Sequence, residues 1–221
     1  MKTDNFIIIG DSLAGQRKDD GYSLDERWPS IFETKSGFSV LNLAKTYSTT
    51  NTLKILKKEI KRRKPDYVII QLGIVDCVPR RFHKLETSIL YRLPDKVRFF
   101  LIKIIKKIRN QSRSRAYVKP NKFKDNIKKF CLDMDCKFIY VKILSATEPL
   151  LLKNNNAELS IIKYNGLIDE ISSELINFTF VEIKEEIVRE LTLDDGYHLN
   201  KLGHEYLANA LVKKFRNYGD V

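Results

Sequence analysis

Residues 6–13 read Phe6-Ile7-Ile8-Ile9-Gly10-Asp11-Ser12-Leu13, a short apolar run that leads directly into a serine. An unbroken apolar run of this length is typical of a strand in a parallel sheet that is covered on both faces. The stretch therefore predicts a buried N-terminal strand, with Asp11 fixing the turn that follows and Ser12 emerging at the strand's carboxyl end.

The rest of the chain alternates similar strands with longer helical patterns. Strands are predicted at 38–42, 67–72, 137–143 and 178–183, and helices at 24–34, 48–64, 122–132, 157–176 and 201–215. Strand–helix alternation builds βαβ units and a parallel sheet with helices on both sides. We therefore predict an α/β protein, a three-layer α/β/α sandwich with a five-stranded parallel sheet. A length of 221 residues suits one domain.

The segment 80–119 interrupts this alternation with a basic helical insertion. Its apolar residues recur on one helical face, at Val97, Phe100, Leu101, Ile104, Ile105 and Ile108. Residues 80–129 contain 17 Lys+Arg and 3 Asp+Glu, a balance of +14, whereas the remainder contains 23 basic and 25 acidic residues. The net charge of +12 therefore belongs to one segment.

Two interpretations of this basic segment stay open. It is either a surface for an anionic partner, such as a membrane, a charged polysaccharide, a nucleotide-linked substrate or nucleic acid, or a solvated, lysine-rich helical face. The amphipathic helix likewise either packs on its own domain or contacts a membrane or another subunit. Nucleic acid is disfavoured, because the segment has no recognisable binding module and few aromatic residues suited to stacking.

A second informative string lies near the other end of the chain, Asp195-Gly196-Tyr197-His198-Leu199-Asn200. A serine hydroxyl becomes a good nucleophile when a base takes its proton, and the base works best when a third group orients it. The spacing lets one turn carry both Asp195 and His198, with Asp194 as the competing acid. We predict Ser12 as nucleophile, His198 as base and Asp195 as orienting acid.

The topology of a parallel sheet explains why these residues, which are distant in sequence, should lie close together. Ligands of such sheets bind beyond the carboxyl ends of the strands, where the strand order reverses. Ser12 follows the first strand, and the loop at 73–76 follows the third. We expect both to open on the same edge as the loop that carries His198.

Gly10-Asp11-Ser12-Leu13 after a strand, together with Asp195-x-x-His198 near the other end, resembles the SGNH hydrolases, also called the GDSL esterase/lipase family. The first and last sequence blocks of that family are strong here, and the two middle blocks are degraded. The resemblance implies a flavodoxin-like SGNH hydrolase fold for 1–221 as a single domain, with the basic insertion at about 80–119.

The resemblance also implies an oxyanion hole with three donors. These are the backbone N–H of the serine, a glycine N–H after the second strand and an asparagine side chain after the third. Ser12 retains the first donor, and Tyr47 stands where the glycine is expected. Val75 stands where the asparagine is expected and has no side-chain donor. Since one lost donor costs about 10²–10³ in turnover, the site is expected to be compensated, slow, specialised or inactive.

Five residues are candidate substrate contacts: Asn42, Asp76, Arg80, Arg81 and His83. Asn42 and the two arginines are also candidates to replace the missing donor. Asp76 has a second interpretation, as a residue that organises its loop. His204 lies on the final helix and is interpreted as structural.

The resemblance allows several functions. We expect a serine esterase that removes a small acyl group, most simply acetyl, from a carbohydrate or another polar ester. One alternative is an O-acyltransferase that uses acetyl-coenzyme A to modify a polysaccharide or its precursor. Another, favoured by the missing asparagine, is a catalytically weak domain that binds an anionic partner through residues 80–129.

Composition and the absence of further motifs limit the cellular location, metals and cofactors that we expect. The three cysteines are odd in number and lack metal-ligand spacing, which indicates reduced thiols in a cytoplasmic protein. No signal-like opening or long apolar run is present, although the basic segment allows a peripheral membrane location. With three dispersed histidines and no phosphate-binding glycine motif, we expect no metal and no cofactor, apart from acetyl-coenzyme A in a transferase.

Overall fold

A computed structural model of the chain describes residues 5–16, 21–80, 89–90, 92–108 and 115–219, without the side chains of 106–108 and 218–219. The strands are β1 (Asn5–Gly10), β2 (Ser39–Asn42), β3 (Tyr67–Gln71), β4 (Lys137–Val141) and β5 (Phe178–Val181). The helices are α1 (Trp28–Ser36), α2 (Asn51–Arg63), α3 (Ile74–Cys77), α4 (Asp95–Ile108), α5 (Pro120–Leu132), α6 (Glu148–Lys153), α7 (Ala157–Glu174), α8 (Glu185–Val188) and α9 (Lys201–Gly219).

The five strands form one parallel sheet in the order β2-β1-β3-β4-β5. The predicted α/β fold with a five-stranded parallel sheet is confirmed. After β2 the chain crosses to the other side of β1, so the strand order reverses between β1 and β3. In doubly wound sheets this reversal opens a crevice at the carboxyl edge, which is where a ligand binds.

Two groups of helices cover the sheet. Helix α1 packs against α9, and α5 packs against both α2 and α7. Every residue of β3 is buried, as are Phe6 to Gly10 of β1, so both faces of the central strands are covered. This two-sided burial explains why those strands are nearly continuous apolar runs in the sequence.

An aromatic cluster fixes the last helix against the first strand. The ring of Phe215 in α9 lies 5.3 Å from Phe6, 4.6 Å from Phe38 and 5.0 Å from Tyr67, measured between ring centroids, and each pair meets edge to face. Edge-to-face pairs of this kind stabilise beyond the area that they bury. The cluster therefore holds the C-terminal part of the chain beside β1, which leads to Ser12.

The observed helices differ from the sequence-based prediction in two ways: α1 begins later, and three short helices are added. Helix α1 begins at Trp28 instead of residue 24, because Glu26 accepts bonds from the N–H and hydroxyl of Ser23, and Arg27 N donates to Leu24 O. Three short helices, α3, α6 and α8, were not predicted. With four to six residues each, they are too short to show a helical period.

The insertion leaves and rejoins the fold at one point. Arg80 N donates to Arg115 O at 3.1 Å and Arg115 N donates to Arg80 O at 3.3 Å, forming a short antiparallel bridge. Val118 N then donates to Asp76 O at 3.3 Å. Since Asp76 lies in α3, directly after β3, this root lies at the carboxyl edge of the sheet. The helix predicted within the insertion is present as α4.

Two observations concern the cellular location predicted from the sequence. Across the described ranges, no helix combines the length and the apolar character that a bilayer span requires. Cys77, Cys131 and Cys136 are free thiols; the first two are buried and the third is half-buried.

Candidate active site

Ser12 lies in a tight turn at the end of β1. Asp11 organises this turn: its backbone carbonyl accepts from Ala14 N and Gly15 N, and its Oδ1 accepts from Leu13 N at 3.0 Å. Gly10 permits the close approach, because a Cβ there would lie 2.7 Å from Cβ of Ala14. The turn therefore needs the glycine and the aspartate that precede Ser12, and the predicted structural role of Asp11 is supported.

The structure brings Ser12, His198 and Asp195 together in one hydrogen-bonded chain. Ser12 Oγ lies 2.9 Å from Nε2 of His198, and Nδ1 of His198 lies 2.5 Å from Oδ2 of Asp195. A carboxylate only accepts hydrogen bonds, so Nδ1 carries the proton and Nε2 is left to accept from the Ser12 hydroxyl. This is the arrangement that a general base needs.

One turn presents both Asp195 and His198. Oδ1 of Asp195 accepts from Tyr197 N at 3.2 Å and from His198 N at 3.0 Å. Gly196 has a φ of 89°, and a Cβ on it would lie 2.6 Å from Thr147 Oγ1, so glycine is required for both reasons. Asp194, the competing acid, is exposed and is not the residue that contacts His198.

The surroundings keep Asp195 ionised. Partial burial alone raises the pKa of its carboxyl, but hydrogen bonds from the ring and backbone of His198, the attraction of that ring and the Tyr197 N–H lower the pKa well below its usual range. The carboxylate is therefore charged at any ordinary pH and can hold the His198 ring in position through Nδ1.

Asp11 has the opposite environment. Its burial raises the pKa of its carboxyl from 3.8 to about 7, with the Leu13 N–H bond acting against the rise, Asp76 adding to it and Arg80 opposing it. Near neutral pH this carboxyl is therefore divided between its charged and neutral forms.

Two backbone N–H groups are available as oxyanion donors. The N–H groups of Ser12 and Tyr47 donate to no acceptor in the described part of the chain. Lys45 N donates to Gly10 O at 3.0 Å, which ties the loop of Tyr47 to the end of β1. Tyr47 has a φ of 63°, the left-handed conformation that glycine adopts at lower cost. The loop thus keeps a glycine-like backbone, and the donor role of Tyr47 stays a prediction.

The position of the expected asparagine offers no side-chain donor. Val75 is buried in α3, which follows Gly73. Gly73 has a φ of 131°, and a Cβ there would lie 2.6 Å from the side chain of Ile143. The loop after β3 is therefore shaped by close packing against the residues that follow β4.

The structure contradicts the expected substrate contact of Asp76. Its side chain is fully buried, and it accepts from Thr50 N at 2.9 Å and from Thr50 Oγ1 at 2.6 Å. That expectation was wrong, because Asp76 anchors the start of α2 instead and organises its loop. Asn42 also makes local bonds: its amide nitrogen donates to Ala14 O and its Oδ1 accepts from Ala44 N. Substrate contact by Asn42 stays a prediction.

Arg80 remains the candidate for an additional donor. Its guanidinium lies over the ring of Tyr117, 5.2 Å from the centroid, and its Nε is buried without a hydrogen-bond partner in the described part of the chain. Arg81 and His83, also predicted as substrate contacts, lie outside the described residues. His204 accepts from Trp28 N at 3.3 Å through Nδ1, which agrees with its predicted structural role.

A small cavity lies at the same edge of the sheet. It is lined by Asp11, Leu13, Gln71, Leu72, Ile74, Val141, Lys142, Ile143, Leu144 and Tyr197. Leu13 follows Ser12 in sequence, and the ring of Tyr197 lies tilted against the ring of His198, with centroids 4.1 Å apart. The cavity is therefore next to the hydrogen-bonded chain. Within the described ranges, no group of histidine, cysteine and acidic side chains is arranged to hold a metal.

Sequence reasoning missed most residues that line this cavity. The sequence signal for Ile143 and Leu144 is their position at the carboxyl end of the predicted fourth strand, since ligand sites collect at the carboxyl ends of parallel strands. Tyr197 lies within the Asp195-x-x-His198 string, but that string predicts roles only for Asp195 and His198.

The chain resembles known proteins in sequence and in fold. The sequence model of the GDSL-like lipase/acylhydrolase family matches residues 8–206. No curated protein matches the chain by sequence. Solved structures do share its fold. A carbohydrate acetylesterase family member from Sinorhizobium meliloti has a TM-score of 0.66 at 15% identity and covers 97% of this chain and 98% of its own.

Two further solved structures are similar over nearly their whole length. A catalytic mutant of an acetylxylan esterase from Geobacillus stearothermophilus has a TM-score of 0.62 at 17% identity, covering 95% of this chain and 93% of its own. The psychrotrophic esterase EstA from Pseudoalteromonas sp. has a TM-score of 0.60 at 13% identity, covering 99% of this chain and 100% of its own. At these identities the likeness is one of fold.

Proposed function

Because the chain belongs to the GDSL-like lipase/acylhydrolase family and is an ester hydrolase of the SGNH type, we propose that it removes a small acyl group, most simply acetyl, from a carbohydrate or another polar alcohol. The observation that carries this proposal is the chain of contacts from Ser12 Oγ through His198 to Asp195, at 2.9 Å and 2.5 Å.

The proposed reaction has two halves. Ser12 Oγ attacks the ester carbonyl carbon while its proton passes to Nε2 of His198. The C–O bond to the alcohol then breaks, and the same proton leaves with the alcohol, so that Ser12 carries the acyl group. In the second half a water molecule gives its proton to Nε2 and attacks the acyl carbon. The acid is released, and Ser12 Oγ recovers its proton.

The negative charge that develops on the carbonyl oxygen needs donors. We assign this role to the backbone N–H groups of Ser12 and Tyr47, neither of which donates elsewhere in the described part of the chain. We assign a third contact to Arg80, whose buried Nε has no hydrogen-bond partner in the described part of the chain. With Val75 contributing none, we expect turnover below that of an enzyme with three donors.

Two observations support a small acyl group and a polar alcohol. The cavity beside Leu13 and Tyr197 is small, and most of its lining is apolar, which suits a short acyl group. Among the proteins of the same fold, one is named a carbohydrate acetylesterase family member and another an acetylxylan esterase. Deacetylation of a carbohydrate is therefore the most direct form of the proposal.

Mass spectrometry of the intact protein tests the proposal. After brief incubation with an activated acetyl ester, native protein should gain one acetyl group, whereas Ser12→Ala should gain none. Ser160→Ala on α7 serves as a matched control and should behave like the native protein. An acetyl group that stays on the Ser12→Ala protein would contradict the role of Ser12.

The same experiment separates the two alternatives. Acylation by acetyl-coenzyme A but not by simple esters would favour O-acyl transfer to a polysaccharide or its precursor, with acetyl-coenzyme A as co-substrate. A native protein that neither acylates nor turns over any ester would favour a catalytically weak domain that binds an anionic partner.

A further inference from the structure

Helix α4 exposes apolar side chains to solvent. Phe99 and Phe100 are each 64% exposed, Val97 is 46% exposed and Ile104 is 37% exposed. At 100° per residue, Val97, Phe100 and Ile104 form one stripe along the helix. Leu101 and Ile105 continue the same apolar face and are less exposed, whereas Ile102, also less exposed, lies away from the stripe. The helix thus carries an apolar stripe that the described part of the chain leaves largely exposed to solvent.

Basic side chains border this stripe. Lys96 and Lys103 are exposed and lie beside Phe100 on the helical wheel, with Phe99 on their other side. Asp95 supplies the helix's one acidic residue, at its first turn, and it pairs with Arg98. Further toward the C-terminus, the sequence adds Lys106 and Lys107 to the same helix. The exposed part of α4 is therefore both aromatic and strongly cationic.

The location of α4 connects this surface with the candidate active site. The insertion is rooted by the bridge between Arg80 and Arg115, immediately after α3. Helix α3 follows β3, and Gln71 O at the end of β3 accepts from Asp11 N, next to Ser12. The exposed helix thus belongs to a segment that leaves the fold from the edge at which Ser12 lies.

We propose that α4 lies on the surface of an anionic phospholipid bilayer, with its exposed apolar side chains at the boundary between headgroups and acyl chains and its lysines at the headgroup phosphates. Lysine stems cover apolar surface while their ammonium groups stay in water, which suits this depth. An interfacial helix combines buried apolar area with attraction to anionic lipid, and α4 supplies both. The proposal does not depend on the reaction proposed for Ser12.

Other occupants fit the surface less well. A soluble anionic polymer would neutralise the lysines but would leave two phenylalanines in water, each more than half exposed. A second copy of the chain would cover the phenylalanines but would bring two lysine-rich helices together, which costs free energy. A bilayer satisfies both features at once.

Vesicle co-sedimentation of the full chain tests the proposal. The native protein should sediment with phosphatidylglycerol-containing vesicles, should sediment poorly with phosphatidylcholine vesicles, and should dissociate as salt is raised. Lys96→Gln with Lys103→Gln should weaken binding about 30-fold, at about 1 kcal/mol per basic residue near the surface. Phe99→Ser with Phe100→Ser should weaken it at least about tenfold.

Matched controls come from α2, which also exposes apolar and basic side chains. Lys58→Gln with Lys61→Gln and, separately, Ile55→Ser change exposed residues of the same types. These controls should bind vesicles like the native protein. Each variant should unfold thermally in the same cooperative transition as the native protein, which shows that the fold is intact.

Four outcomes would overturn the proposal. The first is a native protein that ignores anionic vesicles at low salt, and the second is equal loss of binding in the α4 and α2 variants. A third is binding to a soluble anionic polysaccharide that needs the lysines while vesicle binding is absent. The fourth is a native dimer that Phe99→Ser with Phe100→Ser converts to monomer, since a second copy would then cover the stripe.

Discussion

Two aspartates at the same edge of the sheet show how the surroundings set the chemistry of a single residue. Asp195 receives hydrogen bonds from the ring and backbone of His198 and from Tyr197 N, and it stays ionised. Asp11 is almost fully buried, and its side chain accepts from Leu13 N. The Asp195 carboxylate can therefore hold His198 in position, while the Asp11 carboxyl stabilises the turn that carries Ser12.

Replacing Asp11 should change how stability depends on pH. Burial raises the pKa of Asp11 from 3.8 to about 7, so between about pH 4 and 7 the folded state retains a proton that the unfolded state loses. The contribution of Asp11 to the free energy of unfolding therefore falls as pH rises through that window. Asp11→Asn keeps an acceptor for Leu13 N and removes the charge, so it should stabilise the protein above pH 7, by about 4 kcal/mol at most.

Urea unfolding at pH 5 and pH 8 measures this effect. The gain in free energy of unfolding from Asp11→Asn should be clearly larger at pH 8 than at pH 5. A difference between variant and native protein that is the same at both values would show that Asp11 is charged throughout the folded state.

Replacing the orienting acid should slow turnover without unfolding the protein. Asp195→Asn retains the size of the side chain but lets the amide favour the wrong imidazole tautomer, so kcat should fall by about 10⁴. The exposed neighbour gives a matched control, since Asp194→Asn removes the same charge one residue away and should leave kcat unchanged. Steady-state rates on an activated acetyl ester make the comparison. Similar losses in both variants would refute a specific role for Asp195.

Tyr47 allows a test of whether a backbone group or a side chain acts in its loop. Its left-handed φ of 63° costs about 1–2 kcal/mol for a residue with a Cβ. Tyr47→Gly removes this cost and keeps the N–H, so activity on a small ester should stay within about threefold of native. Thermal unfolding should show no loss of stability. A large fall in kcat would mean that the exposed ring of Tyr47 itself contacts substrate.

At the scale of elements, the sheet and the long helices were predictable because each follows a periodic or continuous apolar pattern. What the sequence could not predict depends on contacts between distant residues. Asp76 was expected to touch substrate, yet Thr50, 26 residues away, binds its carboxylate in the interior. The three parts of the hydrogen-bonded chain were predictable, whereas the cavity needs Ile143 to pack against Gly73. That packing is invisible in a linear pattern.

The contact between α9 and β1 should matter more than other contacts of that helix. Phe215→Ala removes a half-buried ring that meets three aromatic neighbours, so the free energy of unfolding should fall by about 2–3 kcal/mol. Leu202→Ala, on the exposed part of the same helix, should change it by less than about 0.5 kcal/mol. Denaturant midpoints at constant slope give both values. Equal effects would mean that the aromatic cluster does not anchor α9.

For the whole molecule, charge and chemistry are divided between different parts of the chain. The residues outside 80–129 carry a net charge of −2, and the hydrogen-bonded chain of Ser12, His198 and Asp195 belongs to that nearly neutral part. The basic part is an insertion with its own amphipathic helix. Under the proposal made for α4, substitutions in this helix should alter membrane binding with little effect on the intrinsic rate of ester hydrolysis.

The distance along the chain between Ser12 and His198, 186 residues, has a consequence for biosynthesis. When the ribosome has synthesised every strand of the sheet, it has not yet reached His198, which carries the imidazole. The nascent protein can therefore have a folded sheet and the Ser12 hydroxyl in place while it is still unable to cleave esters. Ester hydrolysis therefore becomes possible only after residue 198 has been synthesised and its imidazole has reached Ser12 at the edge of the sheet.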